Sequence, residues 1–295
     1  MALWDRVAIV GSRGQLGTDL MAAFADLAPL ALDRPAFDLE NPASMAALLA
    51  QHRPTLVINT AAFHDVERCE SEPALAFAVN ALGVDALAEA CRNAGAALMH
   101  VSTDYVFDGA ARAPYPESAP PSPLSVYAIS KVAGERLIAR HGGTWFVVRT
   151  CGLYGVAGSR VKGTTFAETM LRKARAGEAL RVVDDQTVAP SYTRDVAGAM
   201  RAIARSERPG IYHVTNAGAC SWYEFAAEIF RQAGIAANLT PVSSAQFPTR
   251  ARRPAYSLLA NEGLHEIGYS MPTWQAGLRA YLQAKGLLGA PAPAS

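Results

Sequence analysis

The chain has 295 residues, 51% of them hydrophobic, with 27 basic side chains against 26 acidic ones. That length fits one enlarged α/β unit with an appended lobe, and the apolar half is enough for a large core. The even charge balance excludes the basic surface that nucleic acid or an anionic membrane would require.

In chain order, Arg6-Val-Ala-Ile-Val10 reads as a buried strand, followed by a glycine-rich turn and a helix from about Gln15 to Ala25. Leu30–Leu32 is a weak second strand, and Pro42 opens a helix through Leu49, where its missing N–H costs nothing. Thr55–Ile58 is a third strand, Glu70–Arg92 a long helix, and Ala97–Ser102 a fourth strand. A helix over 125–140 and a fifth strand at Trp145–Val148 complete the alternation. Strand and helix in turn predict right-handed crossovers and an α/β fold, a Rossmann-like doubly wound parallel sheet.

After Tyr154 the rhythm loosens into a glycine-rich loop at 155–163, helices at 166–176, 193–205, 221–233 and 274–284, and strands at 180–183 and 210–214. A proline-rich stretch covers 241–256. This divides the chain into a first domain over 1–151, to which 178–205 returns, and a smaller α/β lobe over 152–177 and 206–285. The Pro/Ala-rich end, 286–295, is expected to be a flexible tail.

The apolar stretches are short and interrupted, so no membrane-spanning helix is expected, and the first residues lack the regions of a signal peptide. Cys69, Cys91, Cys151 and Cys220 have neither CxxC nor metal-ligand spacing, which fits buried thiols in a reducing cytoplasm. Asp65, Glu67, Glu70 and Glu72, interrupted by Arg68, read as a charge set at a helix start rather than a metal site.

Gly11-Ser-Arg-Gly14-Gln-Leu-Gly17 lies between the first strand and the first helix. Glycines there permit a tight turn and the close approach of a pyrophosphate to the helix N-terminus. The spacing differs from Gly-x-Gly-x-x-Gly, so the loop alone is weak evidence and its position after a strand gives it weight. Asp33, 22 residues past Gly11, stands where an acidic side chain would hold an adenosine ribose, whereas Arg13 and Arg34 suit a 2′-phosphate. NADP(H) and NAD(H) therefore both remain open. Asp38-Leu39 can bracket the adenine, and the small residues of Asn59-Thr-Ala61-Ala62-Phe63 suit a strand end beneath a flat cofactor. Asn80, inside the long apolar helix, either bonds a loop backbone or adds to the dinucleotide set. His64 is a candidate for the cleft, and His100, inside a strand, is read as structural.

Ser102-Thr-Asp-Tyr-Val-Phe107 ends the fourth strand, where open α/β sheets bind their ligands. Ser102 belongs with the dinucleotide end, Thr103 can bond a reacting carbonyl oxygen, and Asp104 can fix a sugar hydroxyl. The sharpest feature is Tyr127 and Lys131, four residues apart on a helix and hence one turn above each other on one face. A fixed ammonium beside a phenol favours the phenolate, which would make Tyr127 a proton donor or acceptor near neutral pH. With ten Tyr and only four Lys in the chain, chance seldom produces this spacing.

Together these motifs resemble the extended short-chain dehydrogenases/reductases, and more narrowly the dTDP-4-dehydrorhamnose reductase family, over almost the whole chain to about residue 285. The counterparts, in order, include Gly14-Gln-Leu-Gly17, Glu70-Ser-Glu-Pro73, Ser102–Phe107, Tyr127-x-x-x-Lys131, Asp185-Gln186 with Ala189-Pro190, Cys220–Phe225 and Arg253-Pro254. The resemblance implies that Thr103, Tyr127 and Lys131 are the catalytic triad and that Gly11–Leu16, Asp38-Leu39 and Ala61–Phe63 contact the dinucleotide. It implies a sugar nucleotide at Thr103 and Asp104, with Val106, Phe107, Gly152 and Arg253 beside it. Gly152 departs from the pattern, since the family often has a tryptophan there lining the sugar site.

The expected function is NAD(P)H-dependent reduction of the C4 ketone of a nucleotide-linked 4-keto-6-deoxy sugar, by preference dTDP-4-dehydro-L-rhamnose. Reduction of another NDP-4-keto sugar is the first alternative, and a non-catalytic dinucleotide-binding regulatory subunit is the second. A homodimer is compatible with either.

Overall fold

A computed structural model describes residues 4–158 and 163–289; part of the glycine-rich loop and most of the expected tail lie outside these residues. The first half contains β1 (Val7–Val10), α1 (Gln15–Ala23), β2 (Leu30–Leu32), α2 (Pro42–His52), β3 (Leu56–Asn59), α3 (Val66–Ser71), α4 (Pro73–Phe77), α5 (Gly83–Ala94), β4 (Ala97–Thr103), α6 (Val126–Arg140) and β5 (Trp145–Thr150). The second half adds β6 (Leu153–Tyr154), α7 (Phe166–Arg175), β7 (Leu180–Val183), β8 (Thr187–Val188), β9 (Ser191–Tyr192), α8 (Thr193–Ser206) and β10 (Gly210–His213). It ends with β11 (Cys220–Ser221), α9 (Trp222–Ala233), β12 (Leu239–Val242), α10 (Glu262–Glu266) and α11 (Trp274–Ala284).

The main sheet is parallel throughout, in the order β10-β5-β4-β3-β1-β2. Its strands are buried on both faces, as their unbroken Val/Ile/Leu runs require. Leu16 and Leu20 of α1 and Val196, Met200 and Ile203 of α8 pack on one face; Met45, Leu49, Val84 and Leu87 from α2 and α5 pack on the other. A third core, rich in Tyr and Phe, fills the C-terminal lobe between α7, α9 and α11.

Two lobe assignments change. β10, placed by its sequence in the substrate lobe, is the edge strand of the main sheet, because Tyr212 and Val214 share the α1/α8 core. Conversely β7, expected to return to the dinucleotide domain, pairs with β12 in the lobe, while α8 does return.

The single long helix expected at Glu70–Arg92 is broken at Glu72, whose backbone (φ −126°, ψ 55°) leaves the helical region as the following Pro73 demands. The run from Pro73 to Ala94, 22 residues through a π-turn at Ala78–Leu82, is long and apolar enough to cross a bilayer. That overturns the expectation of short apolar stretches. It is nevertheless a core helix, with Val79, Val84 and Leu87 packed under the sheet.

Candidate active site

The C-terminal ends of the strands open onto a cleft of about 980 Å³ between the sheet and the C-terminal lobe. The strand order reverses between β1 and β3, which is where doubly wound sheets place a ligand. At that point Gly11 turns with φ +76°, a conformation glycine adopts without strain, and a Cβ there would meet Thr60 Oγ1 at 2.7 Å. Gly17 lets α1 close against the turn, since a Cβ would run into the Gly11 carbonyl oxygen. No side chain caps the N-terminus of α1, leaving its first N–H groups for an anion. Gly17→Val is expected to pry the turn open and weaken NADPH binding by at least about tenfold, read by fluorescence titration of the dinucleotide.

Further along, Asp33 accepts from Ser12 Oγ and pairs with Arg13 Nε at 3.3 Å. The acidic and basic signals that conflicted in the sequence are thus partners of each other. Asp33, Arg34 and Leu39 line the cleft, as do Gly11, Gly14, Gln15, Leu16, Ala61 and Ala62. Arg13 faces an adjoining shallow depression, and Asp38 pairs with Arg34 at 3.6 Å. Phe63 and Asn80 do not line the cleft. Asn80 Oδ1 accepts from the Phe63 N–H at 2.8 Å and its Nδ2 donates to the Phe63 carbonyl at 2.9 Å. The residue therefore holds the loop after β3 rather than a cofactor.

The turn of 3-10 helix at Asp104–Val106 decides which residues of the Ser102–Phe107 motif reach the cleft. Ser102, Thr103, Asp104 and Tyr105 line it. Val106 and Phe107, expected at the substrate, are fully buried beneath, with Phe107 stacked on Tyr115 at 4.2 Å. The turn points them into the core.

Tyr127 and Lys131 project from α6 into this cleft beside Thr103. The helix head is fixed twice: Ser125 Oγ accepts from the Ala128 N–H, and Glu70 Oε1 accepts from the Val126 N–H at 2.8 Å. Asp65 caps α3, Glu67 pairs with Arg253 at 2.7 Å, and Glu72 pairs with Arg68, so each carboxylate of the acidic set has its own task. Arg253 and His64 both line the cleft.

The electrostatics differ from the sequence expectation. Burial raises the Tyr127 phenol well above the ordinary tyrosine value, against the weaker opposing pull of the Thr103 hydroxyl. Lys131 does not offset this because its ammonium is turned into the sheet, donating to the Val101 carbonyl at 2.8 Å and lying 2.9 Å from His100 Nε2. Loss of hydration brings Lys131 down to about 8, with Glu135 acting in the opposite direction. Burial also raises Asp104, one of whose buried carboxylate oxygens has no hydrogen-bond partner.

Several lining residues escaped sequence reading, among them Tyr105, Thr150, Tyr154 and Trp222. Trp222 bears on Gly152: a Cβ at that glycine would lie 3.5 Å from Trp222 Cη2, so α9 brings an aromatic ring to this wall of the cleft.

A glycine cradle at a helix N-terminus, an acidic residue just past β2 and a Tyr/Lys pair in one cleft fit a nicotinamide-dependent oxidoreductase of Rossmann type. The chain belongs to the dTDP-4-dehydrorhamnose reductase family: the profile described as RmlD substrate binding domain matches residues 5–286. A dTDP-4-dehydrorhamnose reductase of Escherichia coli is 37% identical, the match covering 94% of this chain and 96% of that one. The spore coat polysaccharide biosynthesis protein SpsK of Bacillus subtilis is also 37% identical, over 95% and 98% of the two chains. Among solved structures, a dTDP-4-dehydrorhamnose reductase from Bacillus anthracis in complex with NADP superposes with a TM-score of 0.90 at 35% identity, covering 95% of this chain and 99% of that one. The protein is an NAD(P)H-dependent sugar-nucleotide reductase.

Proposed function

We propose that this enzyme reduces the C4 ketone of dTDP-4-dehydro-L-rhamnose to give dTDP-L-rhamnose, with Tyr127 as the proton donor. The observation that carries the reading is the meeting of Thr103, Tyr127 and Lys131 in the cleft that begins at the glycine turn. The cradle at Gly11, the uncapped α1 and the Asp33/Arg34 end fit a dinucleotide, which when bound supplies the hydride for the ketone carbon.

Thr103 orients the carbonyl oxygen, and Tyr127, kept protonated by its burial, donates to that oxygen as negative charge develops on it. Lys131 then stabilises the tyrosinate. Asp104, with its unpartnered oxygen, bonds a sugar hydroxyl, and Arg253 exchanges Glu67 for the substrate diphosphate. Four buried free thiols support a cytoplasmic site of action.

Gly152 favours one second reading, a different NDP-4-keto sugar, because it leaves Trp222 to shape the wall. A panel of 4-keto-6-deoxy NDP-sugars, assayed with NADH and with NADPH, separates the two. The dTDP-rhamnose precursor is expected to give the highest kcat/KM; a clear preference for another sugar would overturn the substrate assignment.

A further inference from the structure

His100, read from the sequence as structural, sits fully buried behind Lys131, with Nδ1 3.0 Å from Asn59 Nδ2 and Nε2 2.9 Å from Lys131 Nζ. The polarity of this chain follows from its far end. Asn59 Oδ1 accepts from the Ala61 N–H at 3.0 Å, so the amide nitrogen of Asn59 must point at His100. An amide nitrogen only donates, and His100 Nδ1 is then the acceptor. Burial keeps the imidazole neutral, and a neutral ring has one N–H and one lone pair. With the lone pair taken at Nδ1, the proton belongs on Nε2, facing Lys131.

An uncharged Lys131 amine can accept from that N–H. A charged ammonium cannot, since two donors would then face each other. The other ring tautomer gives the ammonium an acceptor but sets His100 Nδ1–H against the Asn59 amide. Either arrangement costs the network one buried hydrogen bond when Lys131 takes up its proton.

We propose that His100 is a positioning residue for Lys131, and that the ring tautomer fixed by Asn59 holds the lysine toward its neutral form until charge is needed beside it. Burial already disfavours the ammonium, and the other polar groups facing Lys131 add nothing in that direction. Glu135, one turn along the same helix, favours the ammonium and is itself held by Arg149 and Ser102. Val101 contributes a carbonyl from β4, which also favours it. Tyr127 lies one turn back on α6, with Thr103 and Asp104 beyond it on β4 and the turn that follows.

The proposal rests on the reductase reading for its catalytic meaning, but its test needs neither substrate nor cofactor. The chain has four lysines, so protein labelled at lysine ¹³Cε gives at most four signals, and that of Lys131 is the one lost in Lys131→Met. Its midpoint is expected near 8 in the wild type. His100→Leu removes the opposing N–H, and Asn59→Ala frees the tautomer; each should raise the midpoint by about one pH unit or more. A merely structural histidine, or one that accepts from the ammonium, predicts no change or a fall in His100→Leu, and either result would overturn the proposal. Should His100→Leu fail to fold, Asn59→Ala decides, an unchanged midpoint overturning it.

Because Lys131 is charged below its midpoint, kcat should fall as pH rises through it, and this alkaline limb should move up with the midpoint in either variant. A moved midpoint with a stationary limb would count against the catalytic role of Lys131 and leave its coupling to His100 standing.

Discussion

Tyr127→Phe is expected to lower kcat by roughly 10²–10⁴-fold, the usual contribution of a positioned general acid, with dinucleotide affinity and folded stability unchanged. The ring keeps its edge-on contact with Tyr105, whose centroid is 6.2 Å away, so only the hydroxyl is lost. Burial holds that hydroxyl protonated at neutral pH. A donor of this kind is always loaded but intrinsically weak, and catalysis then depends on stabilising the tyrosinate as it forms. Lys131 stands one turn away on the same helix face with its terminal nitrogen turned into the sheet, so this stabilisation requires it to turn back toward the phenol. Stopped-flow measurement of NADPH oxidation under single-turnover conditions, beside equilibrium titration of NADPH, checks both halves of the expectation. A variant that retained near-wild-type turnover would remove Tyr127 from the proton-donor role.

How much of this was legible beforehand varies with the distance over which each interaction acts. The glycine turn, the strand ends and the Tyr/Lys pair are local patterns, and β1–β5 and α6 appear close to where periodicity placed them. The direction of the Tyr127 shift was not legible. Four-residue spacing puts Lys131 on the right face, but its terminal nitrogen lies against His100 and the Val101 carbonyl, both on a strand about 30 positions earlier. Val106 and Phe107 illustrate a different limit, because one turn of 3-10 helix decides which half of a contiguous motif faces the cleft. The short strands β6, β8, β9 and β11, two residues each, carry no periodicity at all. β10 was legible as a strand but fell in the wrong lobe, since pairing with β5 is a tertiary choice among available edges.

The buried ion pair beneath the site carries the largest expected effect on stability. Arg149 on β5 donates to both oxygens of Glu135 on α6, at 3.0 and 2.7 Å, with side chains only 2% and 4% exposed. Ser102 Oγ adds a donor to Glu135 at 2.5 Å, and Phe107 lies under the guanidinium at 5.3 Å. Arg149→Met would leave the Glu135 carboxylate desolvated and short of partners, at a cost of about 3–5 kcal/mol, read as a lower urea midpoint. Two charges taken from water together are a different matter, because their desolvation nearly cancels their attraction. Arg149→Met combined with Glu135→Leu should therefore recover most of the loss. Equal instability in single and double variants would mean that packing around Arg149, rather than charge pairing, holds α6 to β5. The double variant also removes the Glu135 carboxylate that acts on Lys131, one turn back along α6. With that carboxylate gone the lysine loses the influence that favours its ammonium, so its titration midpoint should fall even though the fold is restored. The pair thus links the stability of the helix to the charge of the residue it presents.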